Sequence, residues 1–447
     1  MAWSARRFRE HARDPVYGNG VALVLNSVVG SLLGFAFWML AARRFAAADV
    51  GWGAAVVSAA TLAALVGKAG FDAAVVRYAP SLEGEPLRRL VARALVASVL
   101  VTAAVSAVLL ALAGRGVATL GPLFAPAPAA LFLLLACGTA AMWILDALFI
   151  AEQVAVWTLA RNVAFNLVKL VGPIALAAAA GFAVPLAWAL GLAASVAVAL
   201  FVLPRIVRRA TATPGAVPNA REVAGYAAKN YALNVSEFLP GLVLPVLVLA
   251  ALGAEVNARF YLAWTLASVG FLASKAVAQS AFAQLVREGD ARAPLAKGAL
   301  LSLVTLAPFG LGLLVFPDVV MRLFGYPSTP DVAWMLRFLA VSLVPLSLAN
   351  LYLAYLKARR AGLELTLIPA ASLAALLAVL PFALATAGLG GVGAAWLAVQ
   401  CVVGAYATAR LFPILLVRSR RRSHGNPQPR TPIATASTGL GRRAHQG

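Results

Sequence analysis

Apolar residues run along this chain in long unbroken stretches separated by short polar breaks, without the strict apolar–polar alternation of half-buried strands. A helix needs about 20 predominantly apolar residues to cross the hydrocarbon of a bilayer. Continuous runs of this kind favour helices over barrel strands, because a helix satisfies every backbone polar group within its own segment. The pattern predicts twelve transmembrane helices, at 18–42, 50–76, 91–113, 129–151, 162–182, 184–204, 231–252, 259–282, 298–316, 332–356, 363–387 and 392–417. The expected fold is an all-α integral membrane protein, with two six-helix lobes around a central cavity.

The breaks set the organisation. The longest connection, 205–230, holds the breaker cluster Thr211-Ala212-Thr213-Pro214-Gly215, then Asn219-x-x-Glu222, a capping box that starts a helix. The chain is expected to divide into a cytoplasmic segment (1–17), an N-terminal lobe (18–210), a linker (211–222), a C-terminal lobe (223–417) and a tail (418–447). The tail lacks apolar periodicity and is rich in Arg, Pro, Ser and Thr, which predicts disorder and attraction to anionic lipid headgroups. The halves share a pattern, as transporters built from repeats do. Lys68-x3-Asp72 recurs as Lys275-x3-Gln279 at a shift of 207 residues, and Leu25-Asn26 recurs as Leu233-Asn234 at a shift of 208.

Composition supports the membrane assignment: 447 residues, 62% hydrophobic and 12% charged. The net charge of +21 at first resembles a nucleic-acid signal, but its distribution is topological. With both termini inside, 27 of the 37 basic residues fall in cytoplasmic segments, including Arg161 just before the fifth span, and only 6 in outer segments. That is the positive-inside rule for a multi-pass protein of a bacterial-type cytoplasmic membrane. The first span is too long for a signal-peptide core, so no cleavage is expected. Cys137 and Cys401 lie within spans and imply no disulfide framework, while His11, His424 and His445 lie in the tails, which excludes histidine catalysis or metal binding in the membrane. No G-x4-GK[ST] phosphate loop occurs, so the chain carries no ATPase of its own. Nor is there a large outer loop bearing acidic or histidine residues, and no enzymatic function or cofactor is expected. Coupling to H+ or Na+ stays open.

Charges inside spans carry the candidate chemistry, because an ionised group in hydrocarbon costs several kcal/mol. Asp72 can neutralise Lys68 as an i, i+4 pair, whereas Gln279 cannot neutralise Lys275, which needs water, another helix or an anionic ligand. Asn162, Asn166, Lys169 and Pro173 share one face of the fifth span, and Asn230, Asn234 and Glu237 share one face of the seventh. Such stripes suit helices lining a hydrated cavity; interhelical hydrogen bonding is the plainer alternative. Asp72, Asp146 and Glu237 are candidates for a coupling-ion site or for lysine partners. Arg410 either faces the cavity or snorkels toward Arg418.

Residues 20 to 82 carry a resemblance. Asn26, Phe35-Ala36-Phe37-Trp38, Ala41-Ala42-Arg43, Val50-Gly51, Gly67 to Gly70-Phe71 and Arg77-Tyr78 are similar to the opening of bacterial polysaccharide-unit (O-antigen-type) flippases, within the multidrug, oligosaccharidyl-lipid and polysaccharide exporter superfamily. The resemblance implies a V of two lobes around a central, often cationic, cavity and alternating access that moves a polyprenyl-diphosphate-linked oligosaccharide between leaflets. Lys68, Lys169 and Lys275 would then meet phosphate, Asn26, Asn166 and Asn234 sugar hydroxyls, and Gln279 and Arg410 the cavity. A polysaccharide polymerase or glycosyltransferases would be partners. A cation-coupled multidrug-type exporter on the same fold, a lipid II flippase and a non-transporting membrane assembly protein are the alternatives.

Overall fold

The computed structural model describes residues 15–116, 118–209, 220–288, 291–359 and 361–416, with a few helical side chains, 228–230 and 232–237 among them, left undescribed. All regular structure in these residues is helical. The first group comprises α1 (Pro15–Arg44), α2 (Ala47–Gly67), α3 (Phe71–Tyr78), α4 (Gly84–Gly116), α5 (Pro126–Ala151), α6 (Val156–Ala175) and α7 (Ala183–Arg209). The second comprises α8 (Ala220–Leu252), α9 (Ala254–Glu288), α10 (Arg292–Val315), the short α11 (Pro317–Leu323), α12 (Pro330–Arg359) and α13 (Gly362–Leu416). The expected linker, N-terminal segment and tail fall largely or wholly outside the described residues.

Nine of the described helices are long and apolar enough to cross a membrane. α6 falls short because Arg161, Asn162, Asn166 and Lys169 lie along it, and α8 because its apolar part is only Phe238–Leu252. α13 is two passes, folded back at Ala387 and Gly388, where the glycine takes a positive φ of 53°. A side chain at Gly391 would meet the Ala383 carbonyl, so only glycine lets the two arms approach this closely. With α2 and α3 as one interrupted pass, the described helices make the all-α membrane fold the pattern predicts.

The two groups repeat one spacing. Ala47 of α2 and Ala254 of α9 begin their helices 207 residues apart, and Gly84 of α4 and Arg292 of α10 begin theirs 208 apart. Each group buries its own core: Leu87, Ile144, Leu148 and Phe149 in the first, Phe260, Met335, Leu336, Leu380 and Val392 in the second. Outward-facing Val24, Val28 and Leu32 of α1, like Leu300, Leu303 and Val304 of α10, are exposed, as lipid-facing side chains are.

α2 joins the groups, packing on both α8 and α9. A Cβ on Gly51 would stand 1.8 Å from the Ala254 carbonyl oxygen, so glycine permits the contact at the start of α2. At the other end the pass is broken. Ala69 and Gly70 both adopt positive φ, 45° and 80°, which ends α2 at Lys68 and restarts the chain as α3. A left-handed alanine costs about 1–3 kcal/mol and persists only where its surroundings enforce it. Here Gly70 sits against the Ala227 carbonyl of α8 and the Tyr231 hydroxyl donates to the Val66 carbonyl at 3.0 Å. The expected continuous span 50–76 is therefore interrupted by tertiary contacts that local propensity does not foreshadow.

Candidate functional site

Between the groups lies a cavity of about 820 Å³, walled by α1, α2, α3, α5, α8 and α9. Its lining is largely apolar and aromatic, with Phe35, Trp38, Trp143, Tyr226, Phe238, Tyr261 and Trp264, and its charged lining groups among the described residues are Lys68, Asp72 and Asp146. The helix break brings the first two together. Lys68 caps α2, Asp72 lies in the first turn of α3, and Lys68 Nζ reaches Asp72 Oδ2 at 2.7 Å, the pairing the i, i+4 spacing predicts. The same ammonium stands 5.3 Å from the Trp143 ring centroid, a cation–π contact with α5. Asp72 Oδ1 is buried with no hydrogen-bond partner, so the carboxylate keeps acceptor capacity.

Asp146 is held differently. Its partner is Arg161 of α6, whose Nε approaches Oδ1 at 3.2 Å while Nη2 engages Oδ2; Nη1 donates to Ser195 Oγ of α7 at 2.6 Å. Arg161 is 4% exposed, so its expected place in a cytoplasmic loop is corrected, as is the expectation of a lysine partner for Asp146. The bidentate pair satisfies the charge of a buried guanidinium, which lets α6 begin at Val156, before the expected 162. Arg161 is the group that sequence reasoning missed. Its signal was an aspartate 15 residues upstream on the preceding span.

Lys169 lies away from the cavity, inside the first group. It is buried, and its Nζ stands 4.0 Å from the Trp188 centroid, 4.9 Å from Phe165 and 5.0 Å from Phe37. Three rings from α1, α6 and α7 thus surround one ammonium. Asn26 and Asn166 are also outside the wall. Asn162 Nδ2 donates to Asn26 Oδ1 at 2.8 Å, which fastens α6 to α1, while Asn166 Nδ2 donates to the Asn162 carbonyl at 2.8 Å within α6.

Lys275 stands at the edge of the cavity, one turn beyond the lining residue Leu272, with its Nζ 5.3 Å from the centroid of Phe238. Gln279, a turn further, is exposed and off the wall. Arg410 is remote from the central cavity. It pairs with Glu364 at 2.8 Å and accepts Tyr352 as a second partner, Nε donating to the hydroxyl at 3.1 Å, in a separate groove of the second group. The side chains of Asn234 and Glu237 lie outside the described residues. Among the described residues the wall carries one lysine and two aspartates, and the other expected basic groups that are described are turned into helix packing or stand at its rim.

No protein-family model matches the sequence, and no curated protein shows significant similarity to it. The backbone, however, resembles solved transporters. A lipid II flippase, MurJ, in an inward closed conformation aligns with a TM-score of 0.70 at 12% identity, over 88% of this chain and 87% of that one. An inward-facing multidrug resistance MATE family transporter of the MOP superfamily aligns at 0.63 and 15% identity, over 89% and 98%. A MOP superfamily transporter from Pyrococcus furiosus, described by a reverse polarity of its binding pocket, aligns at 0.51 and 16%, over 90% and 97%. Across such distant sequences the likeness is one of fold, that of the MOP-superfamily transporters.

Proposed function

We propose that the chain is a flippase that carries a polyprenyl-diphosphate-linked oligosaccharide across the cytoplasmic membrane by alternating access, for cell-surface polysaccharide synthesis, with both termini cytoplasmic and lobes at 18–210 and 223–417. The observation that carries this reading is the mixed wall of the central cavity. Lys68, backed by Trp143, offers an ammonium to phosphate, and the rings of Trp38, Trp143, Tyr261 and Trp264 offer faces to sugar rings. Phe238, Val269 and Leu272 belong to the same wall and are 54%, 44% and 53% exposed, an apolar rim suited to a lipid tail. Lys275 stands at that rim and would take the second phosphate. Lys169 and Asn26 would act by holding α1 on α6 and Asn166 by a bond within α6, rather than by touching cargo.

Alternating access has a physical basis in the two ends of α2. The Gly51–Ala254 approach and the Gly70–Ala227 approach are separate glycine-dependent contacts between the groups. Opening one while keeping the other would expose the cavity to one side at a time. No chemical step is required of the protein, in keeping with a non-enzymatic role.

One observation favours a second reading. Two aspartates against one lysine among the described residues of the wall, with Asp72 Oδ1 unpartnered, suit a cation-coupled exporter of organic cations. Reconstituted protein with a polyprenyl-diphosphate glycan, lipid II or a lipophilic organic cation, with and without H+ or Na+ gradients, separates the cases. For the flippase, Lys68→Gln lowers glycan-lipid flipping by at least about tenfold, the worth of one charge-assisted hydrogen bond, and Asp72→Asn leaves it intact. Cation export abolished by Asp72→Asn and indifferent to Lys68→Gln would establish the exporter instead. Absence of flux with every cargo would indicate an assembly protein.

A further inference from the structure

We propose that the groove between the end of α12 and the two arms of α13 binds the phosphate headgroup of an anionic membrane lipid, at a site separate from the central cavity. The groove has a volume of about 530 Å³ and is lined by Tyr352, Tyr355, Arg359, Glu364 and Arg410. Two guanidinium groups thus face one carboxylate. Glu364 and the Tyr352 hydroxyl hold Arg410 through Nη2 and Nε, which fixes the plane of the guanidinium and leaves Nη1 unengaged among the described residues. Arg359 stands over the Tyr355 ring at 5.5 Å and has no carboxylate partner among the described residues. The groove therefore keeps an uncompensated positive charge with its donors oriented, which is the requirement for binding a phosphate oxygen.

Position decides between a lipid and a soluble phosphate. The groove sits where α12 ends and α13 begins, and tyrosines concentrate at that level of a membrane protein because one end of the ring is apolar and the other wet. Gly362 and Glu364 belong to the first turn of α13, where unpaired helix amides add positive potential. Leu363, 75% exposed, and Ile414 are also part of the lining, so the same site offers an apolar rim for an acyl chain.

The test uses the full chain in detergent, with native mass spectrometry of bound short-chain phosphatidylglycerol, phosphatidylcholine and inorganic phosphate. Wild type should hold phosphatidylglycerol more tightly than phosphatidylcholine. Arg359→Gln/Arg410→Gln should lower phosphatidylglycerol affinity by at least about tenfold, the scale of one to two basic contacts, while Arg88→Gln/Arg89→Gln, at exposed arginines of α4, leaves it unchanged. Arg359→Gln alone preserves the Arg410–Glu364–Tyr352 contacts and should still weaken binding, which separates loss of the site from loss of the fold. Equal affinity for the two lipids, unchanged affinity in the double variant, or displacement of lipid by equimolar inorganic phosphate would overturn the proposal. Lys68→Gln should leave phosphatidylglycerol binding intact, so failure here is distinguishable from failure of the transport reading.

Discussion

Asn257 of α9 donates its side-chain amide to the carbonyl oxygen of Gly51 on α2 at 2.7 Å, and both partners are buried. The bond crosses between the two helix groups at the point where a glycine lets the helix backbones meet. Gly51 is an interior residue of α2, so its carbonyl, already part of the helical ladder, uses its second lone pair to give a buried amide a partner. Phe35 against Phe324 at 5.1 Å and Arg43 Nη2 on the Leu323 carbonyl at 2.7 Å complete the contact between groups at this end.

Gly51→Ala is expected to destabilise the protein by about 1–3 kcal/mol, the range for overpacking a tight contact, because its Cβ would fall on the Ala254 carbonyl. Asn257→Ala removes the hydrogen bond and leaves a small void without any clash, and should cost about 1–2 kcal/mol. Thermal unfolding in detergent measures both, and a Gly51→Ala protein as stable as wild type would contradict the close approach.

Arg161 and Asp146 form a buried pair, so removing one partner strands the other. Asp146→Asn or Arg161→Met should each lower stability by about 3–5 kcal/mol. Joint replacement by Asp146→Leu/Arg161→Met should recover much of the loss, because no buried charge remains. A double-mutant cycle by thermal or denaturant unfolding reads the coupling directly.

Lys169→Met retains most of the side-chain volume within the ring of Phe37, Phe165 and Trp188 while removing the charge. The expected outcome is a folded protein whose ligand affinity in the central cavity changes by less than about twofold, against a loss of about tenfold for Lys68→Gln. Lys169→Glu places an anion against three negative ring faces and should prevent normal accumulation. Equal binding losses for Lys169→Met and Lys68→Gln would place Lys169 in contact with cargo.

Glu152, in the turn between α5 and α6, has its carboxyl pushed above the usual carboxylate range by burial, and its Oε1 lacks a hydrogen-bond partner. The folded protein therefore binds this proton more tightly than the unfolded chain does. The resulting stabilisation is complete below the ordinary carboxylate pKa and is lost as pH rises through the raised value. Glu152→Gln should raise the melting temperature at neutral pH, have little effect in acid, and flatten the stability profile between those limits.

The predicted passes could be read from the sequence because hydrophobic length is a local property. Lys68 with Asp72 was also legible as a short-range pair, although the two meet across the break at Ala69 and Gly70 rather than along one helix. The interruption of the second span was not, because Ala69 is held left-handed by contacts around Val66 and Gly70 that come from α8, more than 150 residues away. Arg161 was hidden for a similar reason. A charge next to a span reads as a loop residue until a partner on another helix, here Asp146, makes its burial tolerable.

By itself the sequence determined that the chain is a helical membrane protein, because transfer of apolar segments into hydrocarbon depends on composition and length. Which charges face the cavity was decided only by tertiary structure. Lys68, Lys169 and Lys275 all fall within predicted spans, yet one pairs with Asp72 in the wall, one is enclosed by aromatic rings and one stands at the rim. Their separation follows from helix rotation and from the break at Ala69 and Gly70, which are set by contacts between distant segments rather than by any residue's immediate neighbours.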